Sequence, residues 1–423
     1  MSRSARRRPH RWLYAVGLLL VVVPTATAVY LGQPLPGSQE LDSVRFAWAL
    51  DRARPWTEMG GGVLLLAGLV LGLAGPRRWL AKAALVAGAL LAAAVLWLAH
   101  FTMTPASWFR EPETVRFARG TSEELPADTL VMGLVVDGEA RAYPIRLLAY
   151  HHRVVDRVGD QDVLVTYCTM CRTGRAFRPE ASGRPLTFDL VGAFRYNSVY
   201  ADRETGSWWY QANATAVAGP LAGERLPELL VDQMTLGAWL ALHPDGLVFQ
   251  PDPASAAGYS MFGFDTFDGK REDPARGAAW QWVVGVVHGD AARAYPWSVL
   301  ARDGLLLDEL GDLPLAVHLR SDGISHRAWD RRVDGVSLAL VLDREADALL
   351  DPASGTRFGF DGVGRGGSLA GRRLRQVPAT LEYRHSFAGF SGGEPWDGGG
   401  APPEAPDAQW EAELVERFSG REG

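Results

Sequence analysis

The sequence has 423 residues, of which 47% are hydrophobic and 22% are charged, and this composition excludes a disordered or collagen-like chain. The length predicts two or three domains. The net charge is −6, but residues 1–100 carry +7 and residues 101–423 carry −13. Because phosphate binding needs a basic face, the acidic main part argues against nucleic acid as a partner. Two cysteines are too few for a disulfide-rich scaffold or a four-cysteine zinc site.

Three apolar runs fill most of residues 1–100, at about 12–31, 59–75 and 79–99. Each is about long enough to cross roughly 30 Å of hydrocarbon as a helix. Buried helices of a soluble domain are the alternative interpretation, but three such runs within a hundred residues are typical of membrane proteins. The sequence therefore predicts a three-helix anchor whose partner is the lipid bilayer.

Basic residues predict the orientation of this anchor. The arginines before the first run and between the second and third runs are Arg3, Arg6, Arg7, Arg8, Arg11, Arg77 and Arg78. The loop between the first two runs carries three arginines offset by three acidic residues. The positive-inside rule then places the N-terminus in the cytoplasm and residues 101–423 outside, on the periplasmic or cell-surface side. Ala26-Thr27-Ala28 resembles a signal-peptidase site, and cleavage there would leave the main part on the same side.

Residues 101–423 contain an internal repeat. The segment pairs that recur in the same order are 138–144 with 289–296, 155–159 with 307–311, 202–207 with 351–356, and 219–223 with 367–371. Four matching segments in one order predict a duplication. The predicted parts are a first repeat at 101–250, a connection at 251–281, a second, degenerate repeat at 282–390, and a flexible tail at 391–423.

Each repeat is predicted to be rich in strands. Short apolar or alternating runs bounded by Gly and Asp turns occur at Leu130–Val136, Val163–Tyr167, Leu315–Leu319 and Ser337–Leu342. Short helices are predicted at Ile145–Tyr150, Met234–His243 and Pro296–Ala301. The predicted fold class is therefore α+β and β-rich, with two tandem homologous strand-dominated units after three transmembrane helices.

Positions that both repeats share are expected to serve the fold. Asp156 and Asp202 have aspartate counterparts in the second repeat, and Gly206 has a glycine counterpart. Aspartate caps turns through its side-chain oxygens, and glycine tolerates a positive φ. We therefore expect structural roles for these three residues.

Residues found in the first repeat alone are candidates for chemistry. Cys168 and Cys171 directly follow a predicted strand, where the second repeat has an arginine and a glycine. His151 and His152, an adjacent pair, also have no histidine counterparts. Since all four lie within 21 positions, the chain could return and bring them together.

Three kinds of chemistry fit these four residues. Two thiolates with one or two imidazoles suit a soft metal, zinc or copper, held by Cys168, Cys171, His151 and His152. The two cysteines also suit a thiol–disulfide oxidoreductase, because a neighbouring imidazolium lowers a thiol pKa. A plain disulfide in a non-enzymatic structural or interaction module is the third interpretation. The residues favour the metal site, and they leave open whether the protein is an enzyme and which protein or small molecule it meets.

A second stretch differs between the repeats and is rich in aromatic and amide side chains. Tyr196, Asn197, Trp208 and Gln211 could line a pocket beside the cysteines. Packing in the core or on an edge strand is the alternative interpretation.

Several motifs of the first repeat occur together in one known family. They are Ala-Arg-Ala-Tyr-Pro, then His151 with Asp156, then Tyr-Cys-Thr-Met-Cys, then Asp-Arg-Glu-Thr-Gly-Ser-Trp-Trp-Tyr-Gln. From about residue 129 to 390 the chain resembles a bacterial and archaeal family known as domain of unknown function 3179. Cys168, Cys171, His151 and Asp156 match the family's motifs, whereas His152 stands where the family has glutamate. The resemblance supports the cysteine site and implies nothing about a substrate.

Overall fold

The structure, a computed structural model, describes residues 9–76, 78–260 and 278–396. Five of the arginines used to predict the orientation, residues 261–277 of the predicted connection, and the predicted tail from residue 397 lie outside the described residues.

The described helices and strands are as follows. The helices are α1 (Pro9–Gly32), α2 (Val44–Ala74), α3 (Trp79–Trp97), α4 (Pro105–Trp108), α5 (Ile145–His151), α6 (Leu236–Leu242), α7 (Ala256–Tyr259), α8 (Trp297–Asp303) and α9 (Arg384–Ser391). The strands before the predicted connection are β1 (Phe117–Arg119), β2 (Leu130–Val136), β3 (Glu139–Pro144), β4 (Arg153–Val158), β5 (Gln161–Cys168), β6 (Thr173–Phe177), β7 (Glu180–Ala181), β8 (Arg184–Pro185), β9 (Phe188–Phe194), β10 (Asn197–Asp202), β11 (Trp208–Tyr210), β12 (Ala216–Ala218), β13 (Glu228–Leu229), β14 (Val231–Thr235) and β15 (Leu247–Phe249). The remaining strands are β16 (Trp282–His288), β17 (Ala291–Pro296), β18 (Leu305–Leu310), β19 (Leu313–Leu319), β20 (His326–Asp330), β21 (Arg332–Val333), β22 (Val336–Ser337), β23 (Val341–Asp343), β24 (Ala348–Asp351), β25 (Thr356–Phe358), β26 (Gly364–Arg365), β27 (Arg375–Val377), β28 (Ala379–Tyr383) and β29 (Glu394–Pro395).

The chain divides into two compact units. The first unit holds the chain up to Trp108 together with Phe188–Trp209 and Ala216–Gly223. The second unit holds Phe109–Thr187, Tyr210–Thr215 and the chain from Glu224. The predicted first repeat, 101–250, therefore contributes to both units, because the sheet of strands β12-β11-β10-β9 groups mostly with the N-terminal helices.

Three helices of the first unit, α1 to α3, are long and apolar enough to cross a membrane. This confirms the predicted apolar helices. The helix α2 begins at Val44, well before the predicted start at residue 59, because the polar segment before Met59 continues the same helix.

Glycines let α1 and α2 approach closely. A Cβ added to Gly17 would lie 2.3 Å from the backbone nitrogen of Leu65, and one added to Gly68 would lie 2.4 Å from that of Tyr14. In a membrane, lipid gives little hydrophobic drive between helices, so close backbone contact of this kind is a main source of helix association there.

We expect Gly68→Val to separate α1 from α2, because the new side chain would meet the backbone of Tyr14. Overpacking of this kind costs about 1–3 kcal/mol. The measurement is thermal denaturation of the full chain in detergent micelles, followed by circular dichroism. Gly62→Val is the matched control, since a Cβ on Gly62 meets nothing within 4 Å. Equal denaturation temperatures for the two variants would contradict the packing described here.

The second unit repeats one order of elements. The run β2, β3, α5, β4, β5, β6 is followed later by β16, β17, α8, β18, β19, β20. The earlier run contributes to the sheets β1-β15-β3-β2-β14 and β13-β6-β5-β4. The later run contributes to the sheets β28-β16-β17-β29 and β18-β19-β20-β27, and the sheet β23-β24-β25-β26 follows the later run in the chain.

The two runs bury equivalent tyrosines in their cores. Tyr143 and Tyr295 are both 0% exposed. Their hydroxyls donate to Asp156 at 2.6 Å and to Asp308 at 2.7 Å. Each buried hydroxyl therefore has the partner that burial requires, and the aspartate of each pair holds β4 or β18 against the preceding strand.

Two segments differ from the predictions. The predicted strand Ser337–Leu342 is wrong, because β22 ends at Ser337 and β23 starts at Val341. The side chains of Leu338 and Leu340 are buried in a core cluster, so the chain leaves the sheet between the two strands to fill that core. At the start of the predicted tail, Glu394 pairs in parallel with Arg293 and extends a sheet.

Candidate functional site

Cys168 and Cys171 lie on the hairpin between β5 and β6. Cys168 is the last residue of β5 and pairs with Thr173 of β6, while Cys171 lies in the connecting turn. Both side chains are buried, at 1% and 0% exposed, and no disulfide joins them. The hairpin therefore brings two thiols to one end of a buried sheet.

His152 caps α5 in an unusual backbone conformation. Its φ is +61°, and Gly304 occupies the matching position after α8 with a φ of +79°. The backbone carbonyl of His152 accepts a hydrogen bond from the amide of Tyr167 on β5 at 3.0 Å. The carbonyl of Gly304 accepts one from the amide of Leu319 on β19 at 2.8 Å. A left-handed backbone costs a non-glycine residue about 1–3 kcal/mol, so the imidazole occupies a position where glycine would be the less strained choice.

The ring of His152 lies beside the cysteine turn. Its Nε2 is 3.5 Å from the hydroxyl of Thr169, and its centroid is 4.0 Å from the ring of Phe109. Burial lowers the pKa of His152 to about 4, against a smaller opposing effect of backbone hydrogen bonds. The imidazole is therefore neutral at neutral pH.

His151 makes different contacts from its neighbour. A carbonyl oxygen can only accept, so the hydrogen bond between Nδ1 and the carbonyl of Arg110 places the ring proton on Nδ1. The hydroxyl of Tyr259 then donates to Nε2 at 2.8 Å. Both ring nitrogens of His151 are engaged by groups other than the cysteines.

The predicted four-residue metal set, Cys168, Cys171, His151 and His152, is not assembled in this structure. Within residues 9–76, 78–260 and 278–396, no group of three or more His, Cys, Asp and Glu side chains is arranged to hold a metal ion. The physical reason is the end of α5. The left-handed backbone at His152 turns the chain, and His151 stays on the helix with both nitrogens bonded elsewhere.

Arg175, on β6, places a buried cation near Cys171. Its guanidinium donates to Glu228 at 2.7 Å and to Glu382 at 3.3 Å. Burial opposes the charge of Arg175, but the electrostatic effects of Glu228, Glu382 and Cys171 outweigh it and raise the pKa of the guanidinium. Arg175 therefore stays charged, and its charge interacts with Cys171.

Glu382 brings a carboxylate to the same place from β28. Its side chain is 0% exposed, and Oε1 accepts from the hydroxyl of Thr380 at 2.9 Å as well as from Arg175. The Oε2 atom has no hydrogen-bond partner among the described residues. The amide of the next residue, Tyr383, donates to the carbonyl of Cys171 at 2.9 Å. A carboxylate oxygen with spare acceptor capacity is therefore held beside the cysteine turn.

Gln211 is the one predicted pocket residue that lies in the second unit. It is 1% exposed, and its Nε2 donates to the hydroxyl of Thr166 and to the carbonyl of Thr173, both at 3.1 Å. Gln211 thus ties β5 to β6 just before the cysteine turn.

The other three predicted pocket residues belong to the first unit. Asn197 is 0% and Trp208 is 6% exposed, and the ring of Trp208 lies 5.7 Å from that of Phe194. Tyr196 has a φ of +58°, and its amide donates to Oε1 of Gln39 at 3.1 Å. A pocket formed by these residues with the cysteines stays a prediction.

The shared residues make contacts of a structural kind. Asp202 accepts from the Thr205 amide at 2.5 Å and from Trp209 Nε1 at 2.8 Å. Gly206 has a φ of +70°, and its carbonyl accepts from Trp48 at 2.9 Å.

Sequence reasoning missed Arg175 and Glu382. Both have counterparts in the other part of the second unit, where Arg327 of β20 pairs with Asp232 of β14 through contacts of 3.0 and 2.5 Å. Each arginine pairs with an acid on a strand far away in the chain. A comparison of the repeats could have drawn attention to Arg175, because the second repeat has an arginine at the matching position. Residues shared by both repeats were, however, expected to have structural roles.

We expect the protein to lose stability as the pH falls from about 6.5 to about 4. Burial is the main cause that lowers the pKa of both His152 and His318 to about 4, whereas the unfolded chain titrates near 6.5. Below 6.5 the unfolded state binds more protons, so each histidine removes up to about 3 kcal/mol on the way to pH 4. Urea denaturation between pH 7.5 and 4.5 measures this. The pH dependence of His318→Gln should be shallower by about one proton, and an unchanged slope would contradict the assignment.

Comparisons with known proteins agree with the resemblance seen in the motifs. A family model described as protein of unknown function (DUF3179) matches residues 109–394. No curated protein and no solved structure shows significant similarity to the chain. The family match begins after the three apolar helices and includes both cysteines, Arg175 and Glu382. The chain therefore belongs to the DUF3179 family of proteins of unknown function.

Proposed function

We propose that the protein is a membrane-anchored thiol–disulfide oxidoreductase whose redox pair is Cys168 and Cys171. One observation carries this proposal: two thiols, separated by two residues, lie on a hairpin whose second strand carries the buried, charged guanidinium of Arg175. A neighbouring cation favours the thiolate, which is the nucleophile in disulfide exchange.

The proposed reaction transfers two electrons and two protons. The thiolate of Cys171 attacks a disulfide of the partner and forms a mixed disulfide, and the released partner sulfur takes up a proton. Cys168 then loses its proton and attacks the sulfur of Cys171, which releases the second partner thiol. The chain ends with a Cys168–Cys171 disulfide, and the partner ends as a dithiol.

The residues around the turn have distinct roles in this scheme. Arg175 stabilises the thiolate of Cys171. The Oε2 atom of Glu382 is an acceptor for the proton that the Cys171 thiol loses. His152 is neutral at neutral pH and packs on Phe109 against the turn. We assign His152 a positioning role.

Access to the sulfurs requires the turn to move. Both thiols are buried, whereas Thr169 and Met170 between them are half-buried. A partner disulfide therefore reaches Cys171 only when these two residues are displaced. This cover protects the dithiol from unselective oxidation.

Oxidised glutathione tests the reaction on the full chain in detergent. The reduced chain should consume one equivalent, release two equivalents of glutathione and lose two titratable thiols, while the double variant Cys168→Ser/Cys171→Ser should do none of these. Metal analysis of the same sample tests the zinc or copper interpretation. One equivalent of metal that disappears in Cys168→Ser, with no consumption of the disulfide, would overturn the redox proposal.

We infer that the second unit contains an ancient duplication in which the later copy serves as scaffold. The shared order of elements, the equivalent Tyr–Asp pairs and the equivalent Arg–acid pairs support this. The later copy has no cysteine.

We further infer that residues 101–423 lie outside the cytoplasm. The arginine distribution supports this orientation. At one end of the helix bundle, Glu58 of α2 accepts from Thr25 of α1 at 2.9 Å and lies 3.0 Å from His100 after α3. These polar groups suit the outer face of the membrane that the helices cross, where α1 leaves the bilayer and α2 enters it. An alkaline phosphatase fused after Gly423 should be active, and an inactive fusion would contradict the orientation.

A further inference from the structure

A cavity of about 380 Å³ lies in the second unit beside the Arg327–Asp232 pair. Its size is within the range of small-molecule sites. Its apolar lining residues are Leu134, Val135, Leu230 and Leu242, and the other lining residues are polar.

The ion pair beside the cavity resembles the ion pair that involves Arg175. Arg327 and Asp232 pair across strands β20 and β14 as Arg175 and Glu382 pair across β6 and β28. The cavity lies beside the second of these two pairs.

Most charges around the cavity neutralise one another. Asp232 binds Arg327 through both oxygens and also accepts from Gln376 at 2.7 Å. Asp361 pairs with Arg365 at 2.8 Å. These pairs contribute no net charge to the cavity.

Arg373 is the exception. Within residues 9–76, 78–260 and 278–396 it has no ion-pair partner, and it lines the cavity with an exposed side chain. A guanidinium is a planar donor that matches the two oxygens of a carboxylate. The cavity lining therefore combines one uncompensated cation with apolar leucine side chains.

We propose that this cavity binds a small organic acid, with its single carboxylate on Arg373 and its apolar body against Leu134, Leu230 and Leu242. One spare positive charge suits a monocarboxylate, whereas a phosphate dianion would leave a negative charge uncompensated near Asp232 and Asp361. The apolar lining residues require more carbon than acetate offers.

Phenylacetate and its neutral analogue phenylacetamide are suitable probes. Isothermal titration of the full chain in detergent should show saturable binding of one phenylacetate per chain, with phenylacetamide at least about ten-fold weaker. The leucine side chains predict that acetate also binds more weakly than phenylacetate.

Variants of two arginines make the test specific. Arg373→Gln should weaken phenylacetate binding at least about ten-fold, and Arg373→Lys should retain part of it. Arg225→Gln is the matched control, because Arg225 forms an equivalent isolated bridge with Thr215 as Arg373 does with Val363. Equal binding of acid and amide, equal binding by Arg373→Gln and wild type, or no binding of phenylacetate at millimolar concentration would each overturn the proposal.

Discussion

Cys168→Ser is expected to stop the proposed reaction halfway and to leave the partner's sulfur attached to Cys171. Without the second thiol, the mixed disulfide cannot be resolved within the chain. After incubation with oxidised glutathione, mass spectrometry should show one glutathione per chain in this variant. Wild type should show an internal disulfide and no lasting adduct.

The reverse substitution separates the roles of the two cysteines. In Cys171→Ser the remaining thiol, Cys168, ends β5, whereas the cysteine whose charge interacts with Arg175 is missing. We expect its adduct to form at least about ten-fold more slowly near neutral pH, because thiolate stabilisation by the cation is lost. Equal rates in the two single variants would contradict the assignment of Cys171 as nucleophile.

Arg175→Gln is expected to destabilise the fold by about 3–5 kcal/mol, because it leaves the carboxylate of Glu382 buried without its cation. Urea denaturation of the full chain in detergent measures the loss. The double variant Arg175→Met/Glu382→Leu should recover most of it, since apolar side chains can replace a buried ion pair.

An exposed ion pair of the same unit provides the control. Arg119 and Asp245 are 3.1 Å apart with side chains that are 70% and 89% exposed. Solvent screens such a pair, so Arg119→Gln should cost no more than about 1 kcal/mol. A loss in Arg175→Gln that does not exceed the loss in Arg119→Gln would contradict the structural role of the buried pair.

Local sequence patterns predicted the elements that depend on neighbouring residues. The apolar runs predicted α1 to α3, and the buried run Leu130–Val136 matches β2 residue for residue. The helix predicted at Ile145–Tyr150 is one residue longer in the structure. In each case the pattern that decides the structure lies within one segment, so it can be read from the sequence.

Two features of the site could not be predicted in this way. Arg175 and Glu382 are 207 residues apart in the chain, and only the packing of β28 beside β6 brings them together. His151 and His152 are neighbours in sequence, but α5 ends between them, so one ring meets Tyr259 and the other meets the cysteine turn. The two histidine side chains, whose adjacency in sequence favoured a metal site, are therefore separated by the C-terminus of α5.

The equilibrium redox potential of Cys168 and Cys171 tests the central claim most directly. The full chain is equilibrated in a series of dithiothreitol or glutathione redox buffers, and the internal disulfide is quantified by mass spectrometry after thiol alkylation. A reversible oxidoreductase pair should have a midpoint above about −300 mV. A midpoint below that value, or no disulfide between these two cysteines at any potential, would contradict it.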